Sequence, residues 1–99
     1  MRKNIQRSSG NVFRDLGFRP VEAENLRVRA DLMIELTRLI EERGLTQKAA
    51  AKLLGVSQPR VSDLVRGKIE RFSVDTLIAM LAAAGVQVRV TTKRAARVA

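Results

Sequence analysis

Residues 46–66 hold two apolar-periodic stretches, TQKAAAKLL and SQPRVSDLV, with only Gly55 and Val56 between them. Each stretch opens on a hydroxyl residue suited to capping a helix, Thr46 and Ser57, so helices are expected over 47–54 and 58–66. Pro59 falls in the first turn of the second, where a missing N–H costs nothing. Gly55 supplies the left-handed residue that so abrupt a reversal requires, and Val56 and Val61 have the spacing of a hydrophobic staple. Helices joined this tightly must cross at short range, which calls for a small side chain at the crossing, and Ala51 provides it. Leu54, Val61 and Leu64 then fill the wedge. Counted from Gln47, the small residue is fifth, the glycine ninth, the valine fifteenth and the leucine eighteenth. The remainder of the chain must supply the core on which this pair rests.

A long helix at about 21–43 is the main candidate. Pro20 presets its start, and Glu22 and Glu24 suit the positive end of its dipole. Leu26, Ala30, Met33 and Ile40, with Leu32, Leu36 and Leu39 beside them, recur at three- and four-residue steps, with Gly44 as the terminating residue. After a basic loop at 67–72, Ser73 caps a further helix over 74–84, with Phe72 and Leu77 as its staple and Asp75 on its dipole. Residues 12–18 (VFRDLGF) hold two of the three aromatic residues and are expected to dock on one end of the core or to form a partner-binding patch. Val86, Val88 and Val90 alternate with Gln87, Arg89 and Thr91, a period-two pattern that predicts a strand over 86–92. A lone strand leaves its backbone groups unpaired, so its expected partner is the same strand of a second copy across a two-fold axis. The organisation is thus a flexible basic tail at 1–11, one domain over 12–92 and a basic tail at 93–99.

The chemistry available is narrow. A chain of 99 residues with no histidine and no cysteine lacks the commonest acid–base group, the sulfur nucleophile and the usual soft metal ligands. Glu41 and Glu42 are adjacent, so on a helix they diverge. No catalytic residue, metal site or cofactor is expected. What the chain has is charge: 19 Lys and Arg against 10 Asp and Glu, net +9, which favours polyanionic partners. Residues 46–71 alone carry six cations and two anions, net +4. No apolar run reaches a membrane-spanning length, and no apolar stretch follows the basic start Met1-Arg2-Lys3 as a signal peptide would require, so the expected location is cytoplasmic.

TQKAAAKLLGVSQPRVSDLVRGK resembles the helix-turn-helix of the phage-repressor-like (XRE/Cro) group of DNA-binding proteins. With NVFRDLGF before it and AENLRVRADLM on the long helix, the match over roughly residues 11–90 is similar to small XRE-type antitoxins of the HigA kind. The resemblance implies an all-α, five-element domain of the lambda-repressor-like type with its helix-turn-helix core at 46–67, in a bacterial or phage protein. It also implies a homodimer that binds double-stranded operator DNA and neutralises a RelE-like (HigB-like) toxin. A solitary XRE repressor without a toxin is the alternative, and a protein-interaction module that inhibits an enzyme is a third reading.

In this docking mode the second helix enters the major groove N-terminus first. That brings Gln58, Pro59, Arg60 and Asp63 to the bases. Gln58 suits an adenine edge and Arg60 guanine N7 and O6, while Pro59 offers only apolar contact. Asp63 either accepts from cytosine N4 or pairs with Arg60 or Arg66 and orients it. Phosphate contacts are expected from Gln47, Ser57, Arg66, Lys68 and Arg71, the first through the amides of a helix N-terminus. Dimerisation is expected through Val86, Val88 and Val90. For a toxin, the expected surfaces are residues 12–18 and the outer face of the long helix with Glu35, Glu41 and Glu42.

Overall fold

Asn11 is the first residue that the computed structural model describes, in a span running from 11 to 94, and it is already structural. Its side chain accepts hydrogen bonds from the amides of Phe13 (3.0 Å) and Arg14 (3.3 Å), which caps α1 (Val12–Asp15). Its Nδ2 donates to the Ala23 carbonyl at 3.1 Å. One buried amide thereby both starts a one-turn helix and fastens it to the next element, a use that a buried polar side chain requires if its desolvation is to be repaid. Phe13 and Phe18 meet edge to face with ring centroids 6.1 Å apart, and α1 lies against α2. Val12, Leu16 and Phe18 nonetheless stay largely exposed.

Next comes α2 (Pro20–Glu42), which begins one residue before its expected start. Arg19 precedes it with extended backbone and makes no side-chain cap; Pro20 stands in for the cap by removing an amide that would otherwise be orphaned. Ala23, Leu26, Met33, Leu36, Leu39 and Ile40 are its buried positions. The helix lies across α1, α4 (Gln58–Val65), the short 3-10 turn Ile69–Arg71 and α5 (Val74–Ala83). Arg27 links Glu24 (2.6 Å) and Asp31 (2.9 Å) along its surface. The hydrogen bond from Arg27, before any other cause, holds the Glu24 carboxyl below its ordinary value. A depressed carboxyl contributes above its unfolded pKa, so this exposed pair helps at neutral pH and ceases to as acid titrates Glu24.

Between α2 and α5 lie α3 (Gln47–Leu54) and α4, with bounds that the sequence foretells to within a residue. Thr46, Ser57 and Ser73 cap α3, α4 and α5, each accepting from the amide three residues on. Gly55 adopts φ 71°, ψ 31°, the left-handed conformation that a β-carbon disfavours by about 1–2 kcal/mol. Ala50, Ala51, Leu54, Val61, Leu64, Phe72, Leu77, Met80 and Leu81 join the α2 residues in one core.

The expected strand is corrected. Every regular element among the described residues is helical, and 86–92 is irregular. Two causes act together. No second strand is present among the described residues, and the only short apolar segment before α2, 12–18, contains the helix α1. The valines also find cover on their own chain: Val86 donates its amide to Leu81 O at 2.9 Å, and Val86 and Val88 pack half-buried against the core. Only Val90, 76% exposed, is left uncovered. The expected tails lie outside the described residues, apart from Asn11, Lys93 and Arg94.

Candidate nucleic-acid interface

The outer side of the α3–α4 pair is built from helix starts. Gln47 and Gln58 are the first residues of their helices, both exposed. Pro59 is exposed beside Gln58, and no side-chain hydrogen bond or ion pair engages either among the described residues. Ser57 is exposed but occupied, its Oγ accepting from the Arg60 amide at 3.3 Å. Arg66 ends α4 as its C-cap and is exposed.

Further along, the fold brings together residues that the sequence separates. Arg60 reaches back from α4: its Nη1 donates to the Arg71 carbonyl at 2.8 Å, and its guanidinium lies 5.2 Å from the centre of the Phe72 ring. Such a cation over an aromatic face is held in orientation as well as place. Since one guanidinium N–H is used and an arginine has five, most of the fork remains available. Asp63 pairs with neither Arg60 nor Arg66. Its partner is Arg71, at 3.2 Å, with Asp63 only 17% exposed and Arg71 52%. The same turn is closed by the Lys68 amide donating to Asp63 O at 3.0 Å and that of Gly67 to Leu64 O at 3.0 Å, the paired terminal bonds of a Schellman end. Gly67 has φ 71° there. Lys68 is thus half-buried and fixed directly after α4.

Two residues of this arrangement escape the sequence reading. Arg29, on α2, donates to the Ile69 and Phe72 carbonyls. Phe72 was expected only as a staple, yet it also seats Arg60. No local pattern signals Arg29, because its acceptors lie 40 and 43 residues away.

Charge is segregated by element. The α2 segment carries six acidic and three basic residues, and Arg27 and Arg38 are spent on carboxylates of the same helix. Within 46–71, net +4, the two anions are Asp63, paired with Arg71, and the exposed Glu70. Among the described residues no group of acidic or other ligating side chains could hold a metal ion, and no helix is long and apolar enough to cross a membrane. A surface of exposed helix N-termini, an amide-presenting glutamine and fixed cations is chemically equipped for a polyphosphate with readable edges.

Comparison with known proteins agrees with that equipment. Residues 12–93 match a family model described as a helix-turn-helix domain. A solved structure of an XRE family transcriptional regulator is similar at 34% identity, covering 79% of this chain and 94% of that one, with a TM-score of 0.70. No curated protein matches the chain.

Proposed function

The chain belongs to the XRE-type helix-turn-helix family, and on that footing we propose that it is a sequence-specific DNA-binding transcriptional regulator that acts as a homodimer. The observation that carries this reading is the exposed leading edge of α4, Gln58 and Pro59, flanked by the cations Arg66, Lys68 and Arg71. In this reading Gln58, Pro59 and Arg60 face the bases. Asp63 acts mainly through Arg71, and Gln47, Ser57, Arg66, Lys68 and Arg71 meet phosphates. Replacing Gln58 with alanine is expected to cost about 1–3 kcal/mol of operator binding and to relax preference at one base position. Selection of duplexes from a random pool by both proteins measures this, and identical consensus sequences would remove Gln58 from the readout.

One protomer supplies too few base contacts for a specific operator, and two on half-sites about 34 Å apart double them. Residues 86–92 are the segment we assign to the second copy. Residues 87–92 make no backbone hydrogen bond among the described residues, and Val90 is exposed. Val90→Glu is expected to shift sedimentation towards monomer without lowering the melting temperature of the monomer. An unchanged dimer would place the contact elsewhere.

The finer reading is an autorepressing antitoxin that neutralises a RelE-like toxin. It is supported by the resemblance of the α1–α2 region to that group and by the apolar surface of Val12, Leu16 and Phe18, which a solitary regulator has no evident need to expose. The outer carboxylates Glu35, Glu41 and Glu42 would meet a basic partner. Against this, the similar solved structure is called a regulator and nothing more, which favours the solitary reading. Co-expression with the product of the adjacent small gene decides: rescued growth and a co-purifying complex support the antitoxin, and rescue of nothing leaves the regulator alone.

A further inference from the structure

The geometry points to Arg29 as a positioning residue for the DNA-contacting loop, an assignment that rests on the DNA-binding reading above. The loop between α4 and α5 contains only a three-residue 3-10 turn, Ile69–Arg71, too short to hold its own shape. Lys68 and Arg71, its two cations, stand at either end of that turn. Lys68 is tied to α4 by its own amide, so it is the placement of Arg71 that depends on what grips the backbone between them.

Two guanidiniums grip it from opposite elements. From α2, Arg29 Nη1 donates to Ile69 O at 3.1 Å and to Phe72 O at 3.2 Å, spanning the turn from end to end. Its Nε is held by Asn25 Oδ1 at 2.8 Å, one helical turn back. From α4, Arg60 takes the intervening Arg71 carbonyl at 2.8 Å. Both are charge-assisted bonds, the stronger kind. Arg29 is half-buried, and its Nε and Nη1 donate to Asn25 and the loop with only the Nη2 N–H pair uncommitted, so its main engagement is with the loop. Three acceptors arranged in this way suit a planar fork, and an ammonium cannot match them all. Loss of Arg29 would leave the Phe72 carbonyl without this donor and the Ile69 carbonyl with the Phe72 amide at 3.3 Å, loosen the seat of Arg60 on Phe72 and let Arg71 drift from the phosphates.

The test compares Arg29→Gln, Arg29→Lys, Asn25→Ala and the control Arg27→Gln with the full wild-type chain. Arg27 removes the same charge from the same helix but contacts only Glu24 and Asp31. The probes are a duplex selected by the wild type from a random pool and a scrambled duplex, titrated well below each protein's melting temperature across a salt series. Arg29→Gln is expected to lower the selective-to-scrambled affinity ratio about tenfold and to flatten the salt slope by about one. Asn25→Ala should lower the ratio about threefold, Arg29→Lys should recover part of the loss, and Arg27→Gln should match the wild type. A ratio and slope unchanged in folded Arg29→Gln, or shifted equally by Arg27→Gln, overturn the assignment and leave DNA binding standing. Should Arg29→Gln fail to fold, Asn25→Ala decides alone, and an unchanged ratio there overturns it. A wild type that selects no sequence sinks the DNA-binding reading itself, and this assignment with it.

Discussion

Raising the salt from about 50 to about 200 mM is expected to weaken binding to duplex DNA by about a thousandfold. The figure follows from the interface. In the proposed mode Arg66, Lys68 and Arg71 give three phosphate-directed cations per protomer, hence six per dimer. Each neutralised phosphate contributes about −0.9 to the slope of log affinity against log salt, so the dimer should show a slope near −5. Gln47 and Ser57 add contacts but no charge and leave the slope alone. A slope of about half that size would mean that one protomer engages DNA. Affinity that hardly responds to salt would mean that the α3–α4 surface is not where DNA binds. Fluorescence anisotropy at four or five salt concentrations separates the three results.

Leu64→Ala is expected to be the most damaging single truncation near the site. Leu64 is 1% exposed and sits in the joint between α4 and α2, so its loss leaves a cavity as well as removing burial, together costing about 2–5 kcal/mol. A domain of this length has a total stability of about 5–15 kcal/mol, and its melting temperature moves about 4–8 °C per kcal/mol. Circular dichroism should therefore show the midpoint falling by at least about 8 °C. The adjacent Val65 is 37% exposed, and Val65→Ala should cost no more than about 1 kcal/mol. Equal losses at the two positions would contradict the burial that distinguishes them.

How legible these features were depended on how far apart their causes lie. The bounds of α3 and α4, their caps and the Gly55 turn follow from residues within one turn of each other, and the structure has them where spacing put them. The staple of Phe72 and Leu77 is local too, and both side chains are buried. The failures are of longer reach. Asp63 was offered two partners on its own helix and found a third, Arg71, because the loop folds back beside α4. Arg29 acts across a gap in sequence that no periodicity spans. The valines of 86–92 read as a strand because alternation reports that one face of a segment is apolar. It cannot say whether a second strand or the chain's own helices will cover that face.

The exposed side chains of α1 bear on more than a partner. Val12, Leu16 and Phe18 are 51%, 69% and 42% exposed on a molecule of net charge +9, and that charge is a colloidal barrier. At about 10 mM salt it acts over about 30 Å, and at about 150 mM over about 8 Å, less than the width of a single helix. Each increment of salt that loosens the grip on phosphate thus also lowers the repulsion that keeps these apolar faces from one another. DNA, by neutralising the cations from outside, does the same locally, and in the proposed dimer it would also hold two protomers side by side. The protein's solubility and its occupancy of DNA are consequently governed by one variable, and purification conditions that strip nucleic acid from it are those in which it is most prone to self-associate.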